Sequence, residues 1–193
     1  MGITGGVGSG KSRVLEILKE EYGFRVIQAD QVAKDLMQPG QESYRAVVDF
    51  LGPSILNEDG TINRPAMAQV IFGCPDKRVQ VDRLTHPLVW NTAFGEALAC
   101  PEPLVVIEAA IPSKEFRDNC GEMWYVYTSR ENRMERLRES RGYTQEKTES
   151  IMESQAPEAG FREFSDAVID NNGSVEDTRK QIRRLLKNKI RMQ

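Results

Sequence analysis

Cysteine is scarce in this chain of 193 residues, and Cys74, Cys100 and Cys120 are odd in number, far apart and without any C-x-x-C spacing. That excludes a disulfide framework and a thiolate metal site, and it predicts three buried thiols in a reducing compartment. Histidine is scarcer still, with His86 alone. Long hydrophobic runs are missing, so no segment reads as a transmembrane helix. An excess of one charge is missing too. A net charge of −3 with 28 % charged residues gives no global basic field, which sets aside nucleic acid or a membrane surface as main partner. There is no internal repeat and no low-complexity tract. A functional motif already occupies the first residues, leaving no room for a signal peptide, so a cytoplasmic protein is expected.

That motif is Gly5-Gly6-Val7-Gly8-Ser9-Gly10-Lys11-Ser12, which fits the phosphate-binding pattern G-x-x-x-x-G-K-[ST] at every position. Its glycines let the backbone curl so tightly that successive N–H groups aim at one anion. Lys11 brings a mobile cation to the β and γ phosphates, and the Ser12 hydroxyl is the expected ligand of a magnesium ion. The flanks are of the required kind. Met1 to Thr4 reads as a short strand, and Val14, Leu15, Ile17 and Leu18 share one face of a helix that Lys11 and Ser12 begin. The positive end of that helix faces the bound anion. Four residues are few for a central strand, so either this strand is short or the natural chain starts earlier.

Further along, Arg25 to Ala29 reads as a second strand, closed by Asp30 where a helix begins. Asp30 is thereby placed at the C-terminal edge of the sheet, where open parallel sheets bind ligands. From Gln41 to Ala99 the pattern is helical, with turns at Pro39-Gly40 and Glu58-Asp59-Gly60 and no strand. Strands resume at Leu104 to Ile107, ended by Glu108, then at Met123 to Thr128 and Ala167 to Ile169. Ser129 to Glu153 is charged and helical with a break near Gly142, and it carries Arg130, Arg133, Arg136, Arg138 and Arg141. The last helix opens with a capping box, Ser174 with Asp177. Strands alternating with helices predict an α/β fold around a parallel sheet.

Thr4 to Ser12, Ala29-Asp30, Pro39-Gly40, Leu84-Thr85-His86-Pro87, Gln155 and Val168-Ile169-Asp170-Asn171-Asn172-Gly173 together make the chain resemble the dephospho-coenzyme A kinase family over nearly its whole length. The resemblance implies a three-layer parallel-sheet fold of the P-loop NTPase type in one kinase domain. Its core would comprise residues 1–34, 103–129 and 164–193, with a helical acceptor-binding insertion over 35–102 and a helical lid over 130–163. It implies transfer of the γ-phosphoryl group of ATP, with magnesium, to the 3′-hydroxyl of the ribose of dephospho-coenzyme A. A monomer or weak homo-oligomer is expected.

On that resemblance Asp30 is the expected general base, with Lys11 and Arg136 completing the catalytic set; helix capping is the plain alternative for Asp30. ATP is expected on Gly6, Val7, Gly8, Ser9, Gly10, Lys11, Ser12 and Arg13, with Asn171 beside the adenine, a turn role being its alternative. The acceptor is expected on Asp30 and His86. The family's second lid arginine falls at Ser140 here, which leaves Arg141 next door as a candidate. A solvated helix face is expected for Arg130, Arg133 and Arg138. Two departures stand out: Glu108-Ala109-Ala110-Ile111-Pro112 replaces a Pro-Leu-Leu-x-Glu segment, and Gln28 stands where the family has Asp. Glu108 is a candidate for the outer shell of the metal. A kinase for another small hydroxyl acceptor or a nucleoside monophosphate is the alternative function. A guanine-nucleotide switch would need an N-K-x-D string, which the sequence lacks.

Overall fold

The structure, a computed structural model, describes residues 1–190, with side chains described as far as Lys187. Five strands, β1 (Gly2–Thr4), β2 (Arg25–Gln28), β3 (Val105–Glu108), β4 (Met123–Tyr127) and β5 (Ala167–Asp170), form one sheet in the order β2-β3-β1-β4-β5. β1 is therefore central. It pairs in parallel with β3, Gly2 opposite Ile107, and with β4, Ile3 opposite Trp124, while β4 pairs in parallel with β5. A central strand is covered on both faces, which is why all three residues of β1 are buried.

Two compact units make up the chain: Met1–Val26 with Cys100–Gln193, and Ile27–Ala99. The first carries α1 (Lys11–Tyr22), α6 (Lys114–Asp118), α7 (Arg130–Arg141), α8 (Gln145–Glu153), α9 (Glu158–Glu163) and α10 (Val175–Ile190). Its core joins Ile3, Val14, Leu18, Val106, Trp124 and Ile169 with Ile182 of α10. The apolar face of α1 expected from spacing is the buried one. The helix stops at Gly23, whose left-handed φ of 70° lets its N–H reach the carbonyl of Lys19. The break expected near Gly142 separates α7 from α8, and the capping box stands: the Ser174 hydroxyl accepts from the N–H of Asp177, and the Asp177 carboxylate accepts from the N–H of Ser174.

The second unit holds α2 (Ala29–Leu36), α3 (Glu42–Leu51), α4 (Arg64–Phe72) and α5 (Pro75–Ala99) around Val47, Ile55 and Val81. The expectation of a helical stretch from Gln41 needs one correction. Residues 52–63 hold a short 3-10 turn and a tight reversal in which Leu56 and Ile62 form an antiparallel bridge, because Glu58-Asp59-Gly60 turns the chain back. The cysteine reading is corrected as well: Cys120 is buried, but Cys74 and Cys100 are only half-buried.

Candidate functional site: a braced phosphate loop

Residues 5–10 link β1 to α1 and turn on themselves, with the N–H of Ser9 bonded to the carbonyl of Gly6 at 3.1 Å. Gly10 has φ +87°, and a Cβ there would stand 2.1 Å from Nδ2 of Asn171, so only glycine fits. The first turn of α1 contains no acidic residue, leaving the positive helix end open to an anion. The Lys11 ammonium donates to the carbonyl of Gly5 (2.6 Å) and stands 3.5 Å from the buried carboxylate of Glu108 at the end of β3. Glu108 thus holds the lysine against the loop.

The loop is held from the other side by β4, β5 and their following turns. The carbonyl of Ser9 accepts from Nδ2 of Asn171 (2.8 Å) and from the Thr128 hydroxyl (2.9 Å). Oδ1 of Asn171 accepts from Thr178 of α10 (2.8 Å), and its main-chain N–H donates to the carbonyl of Tyr127 (2.8 Å). Both polar atoms of this buried side chain are therefore engaged inside the fold and brace the loop. Arg136 closes the same corner, donating to the carbonyl of Asn171 (2.7 Å) and to the Thr128 hydroxyl (3.2 Å). Asn172 ties the start of α7 by accepting from the N–H of Ser129 (2.9 Å) and from Nδ2 of Asn132 (2.9 Å).

Of the sequence candidates, the structure brings together Lys11, Arg136, Asn171 and the loop residues Gly6, Val7, Gly8, Ser9 and Gly10. Ser12 is exposed on the first turn of α1. The Arg13 guanidinium turns to Glu16, 2.5 Å away on the exposed face. Asp30 is exposed in the first turn of α2; the residue at the capping position is Gln28, so the capping alternative for Asp30 falls away. His86 lies within α5, half exposed and 3.8 Å from Asp82. The Ser140 hydroxyl bonds back to the carbonyl of Arg136, and Arg141 sits over the ring of Tyr143.

Arg130 and Arg138 are surface residues as expected, facing Glu149 and Glu135. Arg133 is not. Its Nε donates to the carbonyl of Val7 (2.8 Å), and burial pushes its guanidinium below the ordinary arginine range, though it stays charged. Gln155 meets it there, accepting from the N–H of Val7 at 3.1 Å. The sequence signal for Gln155 existed in the family strings; for Thr128, Arg133 and Thr178 no local pattern marks the role.

The family model described as Dephospho-CoA kinase matches residues 1–177. The dephospho-CoA kinase of Streptococcus mutans is 36 % identical over 185 residues, covering 94 % of this chain and 93 % of its own length. That of Carboxydothermus hydrogenoformans is 34 % identical, covering 96 % and 92 %. Among solved structures, a Thermus thermophilus protein matches with a TM-score of 0.80 at 25 % identity, covering 97 % of this chain and 95 % of its own. Shikimate kinase from Acinetobacter baumannii shares the fold at a TM-score of 0.53 and 18 % identity, covering 97 % and 93 %. A phosphate loop of this build, in a parallel α/β sheet and under a family match that spans most of its length, places the chain in the dephospho-CoA kinase family.

Proposed function

We propose that this chain transfers the γ-phosphoryl group of ATP to the 3′-hydroxyl of the ribose of dephospho-coenzyme A, giving coenzyme A and ADP. The observation that carries the proposal is the pre-built anion cradle: glycine backbone, an acid-free helix start and a lysine held in place by Glu108. Phosphoryl transfer asks the protein mainly for position and positive charge, which is what these groups supply.

In this reading the loop amides and Lys11 hold the β and γ phosphates, and Arg136 adds positive charge at the closed end of the loop. The acceptor oxygen attacks the γ phosphorus as Asp30 takes the hydroxyl proton, and the bond to the β–γ bridging oxygen breaks with its electrons leaving on ADP. Asp30 suits the part because its carboxylate is exposed at the start of α2. A magnesium ion fits the donor set. Such an ion keeps water and phosphate oxygens as most of its ligands, the Ser12 hydroxyl is exposed, and the described residues hold no cluster of three or more His, Cys, Asp or Glu. When bound it would neutralise phosphate charge, with Ser12 as ligand and Glu108 as an outer acidic neighbour.

Residues 35–102 are read as the acceptor-gripping insertion and 130–163 as the lid. Within the helical unit a cleft of about 450 Å³ has Met37, Pro39, Ile62 and Met67 as apolar walls, with Lys34 and Arg64 on its lining. An apolar trough with two cations suits a substrate that joins a long uncharged arm to a diphosphate. His86 is read as an acceptor contact and Arg141 as a further lid cation. No helix among the described residues is long and apolar enough to cross a membrane, and the reading is of a cytoplasmic enzyme acting as a monomer or weak homo-oligomer.

Phosphorus NMR of the product tests this reading. A new ribose monophosphate ester on dephospho-coenzyme A at the 3′ position is expected; a phosphate on the pantetheine end, or none, defeats it.

A further inference from the structure

We propose that Arg133 and Gln155 form a latch that fixes the tip of the phosphate loop in its nucleotide-holding shape, making Arg133 a positioning residue for the transfer proposed above, on which this inference rests. Three bonds close the latch. Gln155 Oε1 accepts from the N–H of Val7 (3.1 Å), Arg133 Nε donates to the carbonyl of the same Val7 (2.8 Å), and Arg133 Nη2 donates to the same Gln155 oxygen (2.8 Å). Both main-chain groups of one loop residue are thereby fixed by two side chains that also hold each other.

Steric fit supports the assignment. A Cβ on Gly6 would lie 2.4 Å from Nη2 and 2.7 Å from Cζ of Arg133, so the guanidinium packs flat against the loop backbone where glycine leaves room. The main chain of Arg133 and the Leu137 side chain also crowd Gly8, where a Cβ would stand 3.1 Å from each, so α7 lies along the loop at both points. A planar fork is what this geometry needs: Nε and Nη2 point to two different acceptors at fixed spacing, which a lysine ammonium does not reproduce. Arg133 sits in α7 and Gln155 follows α8, so the latch ties the loop to two stretches of the segment read as the lid.

A latch of this kind acts before the nucleotide arrives. A glycine-rich loop samples many backbone states when unheld, and binding must then meet the cost of ordering it. Holding the loop in advance favours ATP and ADP equally. Equal gains for substrate and product appear in affinity and KM, with little change in kcat.

The test uses the full chain with Arg133→Ala, Arg133→Lys, Gln155→Ala, Gly6→Ala and the Arg133→Ala/Gln155→Ala double variant. A fluorescent ADP analogue and a non-hydrolysable ATP analogue are titrated, kcat and KM for ATP are measured with dephospho-coenzyme A, and melting temperature is recorded. Each single variant should weaken both nucleotides by about 10- to 100-fold, the worth of one charge-assisted hydrogen bond. Arg133→Lys should not rescue, the double variant should be no worse than the weaker single, and kcat should stay within about threefold in the Arg133 and Gln155 variants. Two results overturn the latch: lower kcat with unchanged ADP affinity, which makes Arg133 a contact of the transferring group, or unchanged affinities with only a lower melting temperature. Nucleotide titration needs no acceptor. A wild-type chain inactive on dephospho-coenzyme A, whose variants still lose both nucleotides together, therefore removes the functional reading and leaves the latch standing.

Discussion

Lys11 shows how one side chain can be tuned by its neighbours. Its ammonium is held between the carbonyl of Gly5 and the carboxylate of Glu108, a carboxylate that is itself buried. A cation positioned in advance stabilises developing phosphate charge without reorganising during the reaction. Lys11→Ala should therefore keep the fold, by circular dichroism, and lower kcat by roughly 10²- to 10³-fold in steady-state assays, the range for losing one such electrostatic group. Asp30 is tested by Asp30→Asn, which keeps size and polarity while removing proton affinity. Turnover should drop by about 10²-fold or more if the carboxylate serves as base; wild-type turnover removes that role. Gly10→Ala forces a side chain into a left-handed backbone, costing about 1–2 kcal/mol, and also displaces the Asn171 amide 2.1 Å away. Urea unfolding should register a loss at least that large.

Elements differ in how openly the sequence announces them. The strands and α1 are legible because burial on one face or two patterns their apolar residues, and because the phosphate loop marks where the helix starts. The phosphate loop itself is legible because its function lies in consecutive main-chain groups. The braces of that loop are legible only where a family string marks the residue, as for Gln155 and Asn171. Asn171 reaches Ser9 across 162 positions, Gln155 reaches Val7 across 148, and Arg133 reaches Val7 across 126. No local period encodes such pairs, so Arg133 reads like its solvated neighbours Arg130 and Arg138 until the helix is folded against the loop. The turn after β5 bears directly on stability. Asn171→Ala should cost about 1–3 kcal/mol, the penalty for breaking a buried hydrogen-bond network. Asn171→Asp should cost more, since a carboxylate would face the Ser9 carbonyl with no hydrogen to give. Thermal melts of the two variants decide the order.

The whole molecule holds two compact units with separate cores, one around Trp124 and Val14 and one around Val47 and Ile55. If the helical unit grips the acceptor, damage to its core should be felt by acceptor and not by nucleotide. Ile55→Ala, which removes most of a fully buried side chain, should raise the KM for dephospho-coenzyme A while leaving ADP affinity within about twofold. The thiols give an independent view of the folded state. Cys120 is buried, and burial pushes its thiol up, so a reagent that attacks thiolates should label Cys74 first and Cys120 only on unfolding. The family assignment points to one acceptor. A coupled ADP-release assay with ATP, magnesium and a panel of dephospho-coenzyme A, adenosine, AMP and shikimate measures that choice directly. Rapid ADP release with dephospho-coenzyme A, and near-background rates with the others, is the expected result; turnover on another member of the panel with none on dephospho-coenzyme A would contradict it.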